Sequence, residues 1–133
     1  YMASDSWKRD QWTISKEVYE DYYNGIENSI KYMKFLKELC NKHDIKLTVA
    51  VYPWFTQVYH NDLDSLQVKI WNKFSKENNL NFINYFPYFM DKNSTLKQRI
   101  KTIEKYYIPF DVHFNREGNK ILSDVFLKQF ISN

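Results

Sequence analysis

Apolar residues recur along this chain in three distinct rhythms, and each rhythm predicts an element. Residues 1–15 show no sustained period and read as an irregular lead-in, with Ser15 placed to cap the next helix. Over residues 18–43, Tyr22, Ile26, Ile30, Met33, Leu36 and Cys40 return at steps of three and four, which predicts one long amphipathic helix. Gly25 weakens it locally, and the polar run Asn41-Lys42-His43-Asp44 ends it. Residues 45–52, IKLTVAVY, are almost continuously apolar and β-branched, the pattern of a strand covered on both faces, and Pro53 stops it. Asn61-Asp62 and Asp64-Ser65 offer caps for a helix over residues 66–78, with Leu66, Ile70, Trp71 and Phe74 as its buried stripe.

A second short strand, residues 81–85, centres on Phe82 and Ile83 and completes a β-α-β unit with a right-handed crossover. Residues 86–94 read as a loop, and residues 95–107 as a helix with Leu96, Ile100 and Ile103 inward. An extended segment over residues 108–114 leads to Asn115, which caps a last helix through residue 131. Its apolar face is Ile121, Leu122, Val125, Phe126 and Phe130, while Gly118 in the first turn permits a close backbone approach.

This order implies an α/β fold with helices on both faces of a parallel sheet. Two strands are fewer than the roughly four to six of a usual open sheet. The expectation is therefore either further short strands or an N-terminal portion lying outside this chain. An uncovered strand edge would also invite self-association with another copy.

Composition narrows the class. The 133 residues are 44% hydrophobic and suit one domain or part of one; the 19% aromatic content predicts an interior built on rings. Nineteen Lys and Arg against 16 Asp and Glu give +3, spread along helix faces such as Lys31, Lys34, Lys37 and Lys42, so no nucleic-acid partner is expected. The single cysteine, Cys40, excludes an internal disulfide and a Cys-based zinc site, and its place in an apolar row marks it as core. The longest apolar run, residues 47–55, is too short to span a bilayer, and no signal peptide is legible, which leaves the compartment open.

Chemistry concentrates in Asp111-Val-His113-Phe-Asn115-Arg-Glu-Gly118-Asn119. In extended backbone a D-x-H spacing puts both side chains on one face, so Asp111 can hold the His113 imidazole in one tautomer while the other ring nitrogen meets a nucleophile. The plain alternative is a local hydrogen bond near a helix start. Tyr52 and Trp54, with Gln57, come after the first strand at the sheet edge where open α/β folds bind ligands; Tyr52 and Trp54 are candidates to line an acyl or sugar pocket and Gln57 to donate a hydrogen bond. An equal alternative is that Trp54 and Phe55 cover the sheet edge as satellite core. His60-Asn61-Asp62 and His43-Asp44 lack further partners at ligand spacing and read as solvated helix ends, so neither a metal nor a cofactor is expected.

The block Asp-x-His-Phe/Trp-Asn-x-x-Gly-Asn/His opening a C-terminal helix resembles the last block of the SGNH/GDSL hydrolases, with Asp111, His113, Asn115 and Gly118 on the matching positions. The resemblance implies a three-layer α/β/α, flavodoxin-like fold, with residues 16–133 as the C-terminal part of one such domain. It implies a serine esterase or O-acyltransferase in which His113 is the general base and Asp111 its orienting partner. The D-x-H spacing looks more like the relatives that O-acetylate polysaccharides, so the implied substrate is an O-acyl ester, including that of a carbohydrate. The family's Gly-Asp-Ser after a first strand is absent; Ala3-Ser4-Asp5-Ser6 has no strand before it, so the nucleophile is expected upstream. The rival expectation is a non-catalytic α/β module whose aromatic edge binds a glycan or protein.

Overall fold

The computed structural model describes residues 11–14 and 16–131, with side chains described for 11–14 and 22–129. Expectations for Ser4, Ser6, Ser15 and the Phe130 side chain, and for most of the lead-in, lie outside those residues.

The elements are α1 (Gln11–Ile14), α2 (Lys16–Lys42), β1 (Thr48–Val51), α3 (Phe55–His60), α4 (Leu66–Glu77), β2 (Asn81–Asn84), α5 (Phe86–Phe89), α6 (Leu96–Tyr106) and α7 (Arg116–Ile131). The chain is thus mixed α/β, mostly helical, around a two-stranded parallel sheet. β1 and β2 pair from Thr48 opposite Asn81 to Val51 opposite Asn84, and α4 is the crossover between them.

Local signals explain the α4 and α6 boundaries. Ser65 caps α4 by accepting from the Gln67 amide at 3.3 Å, and Thr95 and Gln98 form a reciprocal box at the start of α6. Asn79 takes a left-handed φ of 55° just past α4, where a short polar side chain is tolerated.

Three expectations need correction. The strand begins at Thr48 rather than residue 45, and it is covered on one face only: Val49 and Val51 are buried, whereas Ala50 between them and Ile45 before them are exposed. A continuous apolar run reports hydrophobicity, not the number of neighbouring layers. Second, residues expected as irregular or loop fold into short helices: Gln11–Ile14 of the expected irregular lead-in form α1, α3 turns the Phe55, Thr56, Gln57 and Val58 side chains into the interior, and α5 does the same for Phe86 and Phe89. Third, parts of the expected apolar faces are exposed: Leu96 and Ile100 on α6, where only Ile103 of that stripe is buried, Tyr22 and Leu36 on α2, and Phe126 on α7. The helix attaches instead through Arg99, whose Nε donates to the Tyr59 carbonyl at 2.9 Å and whose Nη1 donates to that of Ser94 at 2.7 Å.

The core lies at the C-terminal end of the sheet and joins Val51 and Ile83 to Phe55, Val58, Phe86, Phe89, Ile103, Tyr107, Phe114 and Val125. Rings dominate it. Phe114 stacks on Phe89 at 4.7 Å between centroids and lies 4.6 Å from Tyr107, which meets Phe55 edge-on at 6.4 Å. Such pairs add about 0.5–1.5 kcal/mol each beyond their burial.

Tyr107 is fully buried, and its hydroxyl donates to the Pro53 carbonyl at 2.8 Å across 54 residues of chain. Burial pushes its phenol well above the ordinary tyrosine range, so it stays a neutral donor. Tyr107→Phe removes the donor and leaves the Pro53 oxygen without it in a dry setting. The expected loss is about 1–3 kcal/mol of unfolding free energy, measured by urea titration.

Candidate functional site

The Asp111 and His113 side chains meet through a closed loop. Its ends are tied by an antiparallel bridge between Tyr107 and Phe114, in which the Ile108 amide donates to the His113 carbonyl at 3.0 Å and the Asn115 amide to that of Tyr106 at 2.9 Å. Within it the chain reverses: the Asp111 amide donates to the Ile108 carbonyl at 3.1 Å, with Pro109 and Phe110 between. Pro109 suits the first central position of such a turn; Phe110 occupies the second with φ 63°, a place that favours glycine. A bulky residue there carries strain on the order of 1–3 kcal/mol, sustained only because the pinned ends dictate the turn.

The extended backbone expected for residues 108–114 is therefore a correction as well. Asp111 and His113 converge because the loop bends, not because a pleat aligns them. Asp111 Oδ1 accepts from the Val112 amide at 2.6 Å, from the His113 amide at 3.2 Å and from His113 Nδ1 at 2.6 Å. The His113 side-chain bond, then its backbone bond, hold the Asp111 carboxyl below the ordinary carboxylate range. With Nδ1 donating to a carboxylate, Nε2 is left as the ring's acceptor. The His113 side chain is 77% exposed, open to an incoming group.

Beside the imidazole lies an open pocket of about 270 Å³ lined by Tyr52, Trp54, Val112, His113, Phe114, Asn119 and Leu122. It has three sources. β1 ends into Tyr52 and Trp54, the loop supplies His113, and the first turns of α7 supply Asn119 and Leu122. The Tyr52 ring rests edge-on against Phe114 at 5.7 Å, so one wall of the pocket is an extension of the aromatic core.

Asn115 and Gly118 shape the site without lining the pocket. Asn115 Oδ1 caps α7, accepting from the Glu117 amide at 2.9 Å and the Gly118 amide at 3.1 Å, while its Nδ2 donates to the Lys105 carbonyl at 2.8 Å. It thereby joins the start of α7 to the end of α6. At Gly118 an added Cβ would fall 2.5 Å from the Tyr106 carbonyl and 2.7 Å from a Phe114 ring carbon. The close approach expected of this glycine is real, and beneath it is the base of the histidine loop.

Gln57 falls elsewhere. Its side chain is fully buried, with Nε2 donating to Thr13 Oγ1 at 3.1 Å and Ser65 Oγ at 3.0 Å, and Oε1 accepting the Trp54 amide at 2.9 Å. Those bonds occupy the amide in joining α1, α3 and the start of α4, so it offers nothing to a ligand in the pocket. It acts on the site indirectly by fixing the Trp54 backbone. Conversely, Asn119 reaches the pocket although only its place in the Gly118-Asn119 pair signalled it; its Nδ2 donates to the Phe114 carbonyl at 3.2 Å. Tyr107 carried no sequence signal beyond its aromaticity.

No group of three or more metal-ligating side chains occurs among the described residues, and no described helix is long and apolar enough to cross a membrane. Neither a family model, nor a curated protein, nor a solved structure matches the chain.

Gly118→Ala forces the Cβ into backbone and ring, and the expected cost is about 1–3 kcal/mol in denaturant unfolding. In a carboxyl-carbon NMR titration Asp111 titrates below the roughly 3.9 of a free aspartate. Because the folded value is the lower one, the contribution of Asp111 to stability is complete above that range and is lost as pH falls through the folded value. His113→Ala should return the midpoint toward the ordinary one.

Proposed function

We propose that this chain supplies the Asp-His pair of a serine-dependent ester hydrolase or O-acyltransferase, with His113 as general base and Asp111 as its orienting carboxylate. The observation that carries the reading is the 2.6 Å contact between His113 Nδ1 and Asp111 Oδ1 at the lip of the aromatic pocket. Nε2 takes the proton of an attacking hydroxyl, and the bond from serine oxygen to acyl carbon forms. Collapse of the tetrahedral adduct breaks the acyl–alcohol bond, and Nε2 returns the proton to the departing alcohol. Asp111, held anionic by its three donors, stabilises the imidazolium between these steps.

The pocket fits a small O-acyl ester, a carbohydrate ester included: Tyr52 and Trp54 offer ring faces and Asn119 an amide. The described residues lining it include no serine, so in this reading the nucleophile comes from outside that lining. In the same reading, the β1-α4-β2 unit belongs to a three-layer flavodoxin-like α/β/α sheet, with residues 16–133 as its C-terminal part. No cofactor takes part.

The absence of a serine from that lining also favours a second reading, an aromatic-edged binding module in which Asp111 and His113 only pin the loop. One experiment separates the two. A fluorophosphonate probe is applied to the full-length protein alongside p-nitrophenyl acetate turnover, with His113→Ala as control. The catalytic reading expects a labelled serine and turnover, both falling by a factor on the order of 10³ or more in the variant, the scale seen on removing a triad member. Labelling indifferent to His113 overturns the assignment, and no labelling at all leaves the binding module.

A further inference from the structure

Gln57 is the hub of a buried polar group, and that group contains a titratable side chain that the pocket chemistry leaves unused. Thr13 on α1, Gln57 on α3 and Ser65 at the start of α4 are all buried. Gln57 Nε2 donates to Thr13 Oγ1 at 3.1 Å and to Ser65 Oγ at 3.0 Å, so each hydroxyl is used as an acceptor and keeps its own proton to donate. The Asp62 carboxyl is bonded to the Ser65, Gln57 and Thr13 side chains, and the Asp62 amide donates to the Gln57 carbonyl at 2.9 Å. α1 is therefore clasped to α3 and α4 through groups that converge on one carboxyl.

That carboxyl is poorly matched to a negative charge. Asp62 Oδ2 is buried and meets no donor among the described residues, so half of the ionised group has neither water nor a hydrogen bond. The described charges around it do not remove the cost. Lys69 on α4 favours the anion, but it is exposed and already paired with Asp64 at 3.0 Å. His60 at the end of α3 lies within reach of Asp62, yet burial and the Arg99 guanidinium of α6 hold it below the ordinary histidine range, so near pH 7 it is neutral. α1 brings no ionisable side chain. Burial accordingly outweighs the hydrogen bonds and lifts the Asp62 carboxyl above the ordinary aspartate range.

We infer that Asp62 is a proton-operated latch for α1: with a proton on the carboxyl the clasp on Thr13 closes, and as the carboxyl ionises α1 loosens and lets water reach it. The sign follows from linkage. Because the folded value is the higher one, the stability that the latch contributes is complete below the ordinary aspartate range and is lost as pH rises through the raised value. The latch reaches the pocket through the other end of the same amide, since Gln57 Oε1 accepts the Trp54 amide at 2.9 Å. Loosening Thr13 frees Gln57, so the Trp54 wall is held most firmly in acid. This goes beyond the acyl-transfer reading and does not rest on it.

Amide hydrogen exchange followed by NMR on the full-length protein, expressed as protection so that base catalysis of exchange is removed, reads the latch at the amides of positions 54 and 62. Protection at both should fall several-fold as pH rises from about 4 to about 7. Asp111, whose folded value is lowered, works in the opposite direction, so the deciding quantity is the difference from Asp62→Asn. That variant keeps an oxygen for the hydroxyls and is neutral at every pH, and it should retain the acid-state protection at pH 7. Thr13→Val leaves Asp62 in place and removes the hydroxyl from α1; it should lower Trp54 protection at about pH 4 and flatten its pH dependence. An Asp62→Asn variant that keeps the wild-type slope, a difference curve that rises with pH, or a Thr13→Val variant that behaves as wild type would each overturn the proposal.

Discussion

The hydroxyl of Tyr107 donating to the carbonyl of Pro53 is the contact on which the rest of this structure depends. Pro53 comes just after the end of β1 and separates the pocket residues Tyr52 and Trp54; Tyr107 opens the loop that holds Asp111 and His113. One buried bond therefore sets the distance between the aromatic wall and the imidazole. It persists because the rings of Phe55, Phe89 and Phe114 exclude water from it, and because the burial that strengthens the bond also keeps the phenol protonated.

The loop inherits its rigidity from that core. Phe114 is a packed core ring directly after His113, and Gly118 lets the first turn of α7 sit on Phe114 and on the Tyr106 carbonyl. Asn115 then bonds the two helices to each other. With both ends held, the residues between must reverse direction, and Phe110 accepts a left-handed backbone that it would avoid in isolation. The reversal brings the Asp111 carboxylate under two amides and the imidazole together. The side-chain pair is thus a product of packing some distance away, and the packing is where its geometry is most exposed to mutation.

The other end of the molecule obeys a different constraint. β1 is covered on one face and α2 leaves a row of large apolar side chains in water, so the described body does not consume all of its own hydrophobic surface.

Much of this was legible in the sequence. The periodicities placed α2, α4, α6, α7 and both strands within a few residues, because helix and strand periods are local properties of backbone geometry. The cluster from Asp111 to Asn119 announced the pair, the cap and the close-packed glycine, since each depends on neighbours a few positions away. The short helices α3 and α5 escaped, because aromatic runs such as Phe86-Pro87-Tyr88-Phe89 have no period long enough to read. Tertiary structure alone decided that Gln57 turns inward to Thr13 and Ser65, that Asn119 reaches the pocket, that residues 108–113 bend rather than extend, and that Tyr107 finds Pro53. Each of those outcomes depends on which distant surface a side chain meets, and contacts across tens of residues leave no periodic trace in the chain that makes them.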